Sequence, residues 1–185
     1  LRRVLDALAP AARAGTWIVG LEPSCIYTLR DEAPALLPGD DADVVAERAV
    51  LLEEFLDQEW AQGHTLPFKP LKRRRLKVHG HCHQKAFGTV NASVRMLERI
   101  PDLTVEEIPS GCCGMAGAFG YQAEHYDVSM AMAELDLLPA VRVTDETTEI
   151  VASGTSCRAQ IRDGTGRTAL HPAVLLQRAL TERGD

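Results

Sequence analysis

Two adjacent cysteines framed by glycines, Gly111-Cys112-Cys113-Gly114, constrain the fold of this chain more than any other feature. They follow a strand-like segment at residues 103–108 and precede a glycine-rich segment at residues 115–120. Adjacent thiols between glycines offer little surface for packing in a hydrophobic core. The pair therefore indicates a chemical role, such as metal binding or redox chemistry. Cys82 and Cys157 each follow another strand-like segment. We therefore expect four thiols to converge on one point.

Strand-like and helix-like segments alternate along the chain, which predicts an α/β fold with a mostly parallel sheet flanked by helices. Predicted helices include residues 40–60, 84–99 and 118–138. Cys25, Cys82, the Cys112-Cys113 pair and Cys157 all fall just past the carboxyl end of a predicted strand. Open parallel sheets bind ligands at that edge. Alternatively, these cysteines are ordinary buried core residues, because free cysteine often packs as a small hydrophobe. This alternative applies above all to Cys25.

A polar, proline-bearing stretch at residues 61–75 predicts an internal boundary. The motif S-C-x-x-x-[L/I]-R-D occurs twice, starting at Ser24 and at Ser156. The second occurrence is either a chance similarity or the mark of an internal repeat. If it marks a repeat, residues 63–185 form a complete domain and residues 1–62 are the C-terminal remnant of a preceding repeat. Cys25 would then belong to another site.

Charge and cysteine content narrow the possible partners. The net charge is −6, and the one basic cluster, at residues 69–77, is interpreted as a solvated linker or as a dock for an acidic partner. Nucleic acid is therefore not expected as the main partner. No apolar run is long enough to span a membrane. Five cysteines without a secretory signal indicate a reduced, cytoplasmic setting, which is compatible with peripheral association at the inner face of the membrane.

Four thiolates match an iron–sulfur cluster or a tetrahedral zinc ion, because soft sulfur ligands select these metals. Adjacent cysteines can reach two irons of one cluster, whereas the usual paired C-x-x-C pattern of zinc sites is missing. Gly111, Gly114 and Gly117 are predicted to form a backbone cradle for the cofactor, since glycine lets the backbone approach closely. A dinucleotide loop would require G-x-G-x-x-G, which the segment lacks.

Three histidines surround Cys82. On an extended strand His79, His81 and His83 would share one face and Cys82 the other. Hydrogen bonding within the fold, tuning of a bound cluster and direct metal ligation are the three interpretations. We expect His81 and His83 to contribute to cofactor binding.

The order Cys82, then Cys112-Cys113-Gly114, then Cys157 resembles the cysteine-rich CCG domain of heterodisulfide reductase subunits. The same domain occurs in the iron–sulfur subunits of glycolate, lactate and glycerol-3-phosphate dehydrogenases. The strings EPSC, HGHCHQK, GCCGMAGAFGY and SCRAQI look most like the C-terminal iron–sulfur portion of FAD-linked 2-hydroxy-acid oxidase fusions. Gln160 stands where the reductase branch has a fifth cysteine, which argues against direct disulfide cleavage.

The resemblance implies a 4Fe–4S cluster held by Cys82, Cys112, Cys113 and Cys157. Cys25, which also follows a predicted strand, is a further candidate ligand. It also implies a relay of electrons from a flavin-dependent lactate- or glycolate-type dehydrogenase to a quinone or a carrier protein. FAD would lie on a partner or on a missing N-terminal part, because the chain shows no flavin motif and no substrate-oxidising site. A structural zinc-binding or interaction domain of an oxidoreductase complex is the alternative, and a thiol-redox enzyme using Cys112 and Cys113 is a third interpretation.

Overall fold

The computed structural model describes residues 1–181, so the last four residues of the predicted 63–185 domain lie outside the described part. Strands and helices alternate along these residues. The strands are β1 (Ile18–Gly20), β2 (Ala49–Leu51), β3 (Arg75–His79), β4 (Thr104–Glu107), β5 (Glu149–Ala152) and β6 (Ala169–Leu170). The α-helices are α1 (Arg2–Arg13), α2 (Pro23–Tyr27), α3 (Ala33–Leu36), α4 (Asp40–Arg48), α5 (Leu52–Ala61), α6 (Cys82–Ala86), α7 (Val90–Glu98), α8 (Tyr126–Glu134), α9 (Leu137–Arg142), α10 (Thr155–Thr165) and α11 (Pro172–Thr181).

All described strand pairs are parallel. β1 pairs with β2, and a four-stranded sheet has the order β4-β3-β5-β6. The chain runs from β3 outward to β4 on one side, then returns to build β5 and β6 on the other. The strand order therefore reverses between β3 and β5, and a crevice at the carboxyl ends of these two strands is the usual ligand position in such sheets.

Helices cover both faces of the four-stranded sheet because its central strands bury both of their faces. Leu76 and Val78 of β3 pack in one apolar cluster with α7 and α11. Ile150 and Ala152 of β5 face the other way, toward α9 and α10, in the cluster that also contains Cys157. The predicted α/β fold with a mostly parallel sheet flanked by helices is confirmed.

Three predicted helices differ from the structure. The single helix predicted over residues 40–60 is wrong, because β2 separates α4 from α5; its three apolar residues are buried and pair with β1. A short apolar run inside a helical pattern cannot be assigned by periodicity alone. The helix predicted over 84–99 is broken by a turn at residues 87–89, and that over 118–138 consists of two 3₁₀ turns, α8 and the start of α9.

A buried carboxylate links the part of the chain around β2 to the four-stranded sheet. Glu53 has an exposed fraction of 0%. Its Oε1 accepts hydrogen bonds from Gln84 Nε2 (3.0 Å), Ser93 Oγ (3.0 Å) and Ser153 Oγ (2.9 Å). Gln84 Oε1 in turn accepts from the backbone N–H of His81 at 3.0 Å. The network therefore holds the loop that precedes Cys82.

A second link is made at the surface. The Glu22 carboxylate accepts hydrogen bonds from the backbone N–H (2.8 Å) and the hydroxyl (2.9 Å) of Thr155, at the start of α10. The boundary at residue 62 stays a prediction; residues 62–74 contain neither helix nor strand. Among the described residues, no helix has the length and apolar character needed to cross a membrane.

Candidate metal centre

Four of the five cysteines lie side by side at the carboxyl edge of the four-stranded sheet. Their side chains form a continuous series of contacts, from Cys82 to Cys112, from Cys112 to Cys113, and from Cys113 to Cys157. Cys82 begins α6 after β3, the adjacent pair follows β4, and Cys157 lies in the first turn of α10 after β5. Three neighbouring strand ends thus supply the four thiols, each of which is free.

One end of this series is dry and includes a histidine. Cys113 and Cys157 are 5% and 1% exposed, and His79, the last residue of β3, is 1% exposed. One ligand atom from each of these three residues lies within 4.8 Å of the other two. Zinc–sulfur bonds of about 2.3 Å limit two thiolates on one ion to roughly 4.6 Å apart. The three donors are therefore close to the spacing at which they can share a single metal ion.

The other end of the series opens into a cavity of about 370 Å³. This volume is an order of magnitude above the roughly 30 Å³ that one water occupies in the liquid, so the space exceeds what a single ion needs. The cavity is lined by small residues, by two histidines and by three of the thiols. Its lining residues are Ser24, His81, Cys82, His83, Cys112, Cys113, Ala116, Gly117 and Ser156.

The neighbouring thiols shift one another's pKa values. The pKa of Cys112 is lowered because the thiols of Cys113 and Cys82 donate to it, and the Gly114 N–H also donates to its sulfur at 3.3 Å. The pKa values of Cys82 and Cys113 are raised, chiefly because their protons serve those bonds and then because both are buried. A hydrogen bond from Cys113 lowers the pKa of Cys157. The four thiols therefore titrate as one interacting group, in which a thiolate is stabilised by a neighbouring thiol; the thiolate is the form that binds metals.

The three predicted cradle glycines occupy different environments. Gly114 has φ +86°, and a Cβ built on it would lie 2.1 Å from the backbone oxygen of Ser129. Gly117 has φ +68°, lines the cavity and would meet no atom within 4 Å. The Gly111 carbonyl accepts a hydrogen bond from Lys85 Nζ at 2.9 Å. Close approach thus requires glycine only at Gly114, and the role of all three in cofactor binding stays a prediction.

Two further residues shape the loop. Lys85 Nζ also donates to the Ser110 carbonyl, and burial lowers the pKa of this ammonium group. Lys85 therefore holds the segment that leads into the cysteine pair. Ala116, which lines the cavity, has φ +41°, a conformation that costs an L-residue about 1–2 kcal/mol. No residue-type signal in the sequence indicates this strained position.

The three histidines around Cys82 do not lie on one face of a strand, contrary to what their alternation in the sequence predicted. The shared strand face for His79, His81 and His83 is wrong, because β3 ends at His79 and α6 begins at Cys82. His81 Nδ1 instead accepts from the His83 backbone N–H at 3.2 Å and lies 3.8 Å from Cys82 Sγ, and burial lowers the pKa of His81. His81 and His83 line the cavity, whereas His79, which was not among the predicted site residues, lies against the buried thiols.

Cys25 and Gln160 are not members of the series of thiols, although Gln160 Nε2 lies close to Gly114. Cys25 is exposed on α2, and its neighbour Ser24 lines the cavity. Gln160 is buried, and its Nε2 donates to the carbonyl (3.1 Å) and the hydroxyl (3.0 Å) of Ser129. Its amide therefore serves to join α10 to α8.

The amino-acid sequence of this chain is similar to portions of known dehydrogenases. Over 170 residues it is 32% identical to one component of the anaerobic glycerol-3-phosphate dehydrogenase of Escherichia coli K12, and the match covers 90% of this chain and 41% of that component. D-2-hydroxyglutarate dehydrogenases of Pseudomonas putida and E. coli K12 are 29% and 27% identical over 93% and 95% of this chain. The matched region is 16% and 17% of those two proteins.

The chain thus spans less than half the length of each of these relatives, and it is similar to a portion of an oxidoreductase or of one of its components. No protein-family model and no solved structure matches the chain.

Proposed function

We propose that this chain is an iron–sulfur electron-transfer portion of an oxidoreductase, and that Cys82, Cys112, Cys113 and Cys157 hold a 4Fe–4S cluster. The main support for this proposal is the series of four thiols, each in contact with the next, at the carboxyl edge of the sheet. Soft thiolates select iron–sulfur clusters, zinc or copper(I). The cavity beside the thiols favours a cluster over a single ion, because it is far larger than one ion needs.

The partner of this portion is a flavin-dependent dehydrogenase that oxidises a 2-hydroxy acid. FAD lies on that partner or on a part of the polypeptide outside these residues, and electrons pass through this portion to a quinone or a carrier protein. Similarity to portions of D-2-hydroxyglutarate dehydrogenases and of a component of a glycerol-3-phosphate dehydrogenase supports this assignment. A cytoplasmic position, with peripheral contact to the inner face of the membrane, accords with it.

Residues 1–62 are the remnant of a preceding repeat, with Cys25 belonging to another site. The helices after β1 and β5 support this proposal, because Cys25 and Cys157 are each the third residue of a helix that begins soon after a strand. The exposed position of Cys25 also supports it. Gly111, Gly114, Gly117, His81 and His83 surround the cluster in this proposal.

Reversible reduction tests the function. The chain is reconstituted anaerobically with iron and sulfide, then reduced and reoxidised in steps while its visible absorbance is followed. We expect one-electron bleaching and recovery in the unaltered chain and in Cys25→Ser, the matched control at an exposed thiol. The same signal should be lost in Cys112→Ser and Cys157→Ser. A chain that takes up iron and sulfide but does not cycle would refute an electron-transfer role.

A structural zinc site is the second candidate, and the close grouping of His79, Cys113 and Cys157 favours it. Their spacing suits donors that share one ion. Zinc has no redox chemistry, so this candidate predicts a colourless protein whose folding depends on the metal. Chelation followed by circular dichroism, with metal analysis of the purified chain, separates the two candidates.

A further inference from the structure

We propose that a low-molecular-weight disulfide oxidises Cys82 and Cys112 to a disulfide when no metal is bound, and that this bridge closes the site to metal. The two side chains are in contact, and both line the cavity of about 370 Å³. Both residues are also partly exposed, whereas Cys113 and Cys157 are buried. The inference concerns the free thiols, so it holds whether the group that binds there is a cluster or a zinc ion.

The contact between Cys82 and Cys112 is the one in the series that a reagent in solution can convert into a bridge. Cys113 and Cys157 are 5% and 1% exposed, so the contact between them offers little surface for attack. Cys112 and Cys113 are adjacent, which fixes their Cα atoms about 3.8 Å apart. Disulfides span Cα separations of about 4.4–6.8 Å, so a bridge between neighbours is strained. Cys82 begins α6 and Cys112 follows β4, so this pair is free of that constraint.

The space in front of the pair admits a small reagent. Ala116 and Gly117 line the same cavity and carry no long side chain that would cover the sulfurs. Cys112 is the thiol placed to react first, because its sulfur accepts a hydrogen bond from the Gly114 backbone N–H at 3.3 Å. Such a bond favours the thiolate, which is the nucleophile in thiol chemistry.

The bridge forms by two thiol–disulfide exchanges. In the first, the Cys112 sulfur attacks one sulfur of the small disulfide, whose sulfur–sulfur bond breaks; a mixed disulfide forms and one small thiolate leaves. In the second, the Cys82 sulfur attacks the Cys112 sulfur, and the second small thiolate leaves. The two leaving thiolates take up the protons that Cys82 and Cys112 give up. The cysteine pair is thus oxidised by two electrons, and the small disulfide is reduced to two thiols.

The bridge has two consequences for the site. It removes two of the four thiolates, the form in which cysteine binds a metal, so the site cannot be filled. It also protects the pair, because a disulfide is reversed by thiols, whereas sulfonic acids are irreversible products of further oxidation. A dithiol reductant therefore reopens the site.

Disulfide mapping of the unaltered chain tests the bridge directly. The full 185-residue chain is stripped of metal without oxygen, incubated with bis(2-hydroxyethyl) disulfide, digested, and analysed by mass spectrometry with fragmentation that distinguishes Cys112 from Cys113. We expect one bridge, between Cys82 and Cys112, while the exposed Cys25 forms a mixed disulfide with the reagent. A bridge between any other two cysteines, mixed disulfides alone, or unreacted thiols at Cys82 and Cys112 overturns the inference.

Two variants and a reductant test the closing of the site. Cys82→Ser should stop at the mixed disulfide on Cys112, whereas Cys25→Ser, the control at an exposed thiol, should form the bridge. The oxidised chain should lose its uptake of iron and sulfide and regain it after dithiothreitol; uptake that persists with the bridge intact refutes the closing. If the reduced chain takes up no iron and sulfide, the proposed function fails while the mapped bridge stands. Zn²⁺ then serves as the probe: lower uptake by the oxidised chain supports the closing, and equal uptake refutes it.

Discussion

Replacing Gly114 by alanine should displace the cysteine pair, whereas the same change at Gly117 should not. Both glycines have positive φ, so each substitution costs about 1–2 kcal/mol in backbone strain. Only at Gly114 would the new Cβ lie 2.1 Å from the Ser129 oxygen, against about 3.4 Å for an ordinary contact. Relief of that overlap requires a movement of more than 1 Å next to Cys113. Overpacking of this kind typically costs about 1–3 kcal/mol more.

Gly114→Ala is therefore expected to lower the free energy of unfolding by about 2–5 kcal/mol, and Gly117→Ala by about 1–2 kcal/mol. Urea denaturation followed by the fluorescence of Trp17 and Trp60 measures both. Metal uptake adds a second readout for Gly114→Ala, because a displaced thiol pair should bind metal poorly. Equal stability of the two variants, or unchanged metal uptake in Gly114→Ala, would show that the close approach of Gly114 to Ser129 does not matter.

Three further predictions concern the links around the site. Glu53→Ala should destabilise the chain by about 1–3 kcal/mol for each of the three buried donors that lose their acceptor, and Glu53→Gln should restore much of this in urea denaturation. Burial alone would raise the pKa of Glu22, but the hydrogen bonds from Thr155 outweigh it and lower the pKa below 4.5. The ionised Glu22 carboxylate therefore stabilises the folded chain by about 1 kcal/mol. This contribution is present above pH 4.5 and is lost as the pH falls. The difference in the free energy of unfolding between the unaltered chain and Glu22→Gln should therefore disappear in acid. Lys85→Met should lower the melting temperature through about 1–3 kcal/mol of lost hydrogen bonding to two carbonyls.

The fold class follows from the sequence because strand and helix patterns alternate, and parallel pairing follows from the helices between strands. The strand β2 could not be found in this way. Its residues Ala49, Val50 and Leu51 continue the apolar pattern of the helical segments on both sides, and only the pairing with β1 determines their conformation. The pairing of β2 with β1, which cannot be seen in a single sequence, outweighs the local helical pattern of residues 40–60.

The thiols could be placed at strand ends from the sequence, but the environment of the histidines could not. The alternation of His79, His81 and His83 treats them alike, whereas the end of β3 separates the first from the other two. What distinguishes His79 is Ser110, which is 31 residues away in sequence and lies beside it across the β3–β4 pair.

Quantification of iron and acid-labile sulfide in the anaerobically reconstituted chain tests whether the four cysteines at the sheet edge hold an iron–sulfur cluster. We expect iron and sulfide in equal amounts, retained in Cys25→Ser and lost in Cys82→Ser, Cys112→Ser, Cys113→Ser and Cys157→Ser. Stoichiometric zinc with neither iron nor sulfide, or a cluster that survives replacement of Cys112 and Cys113, would contradict it.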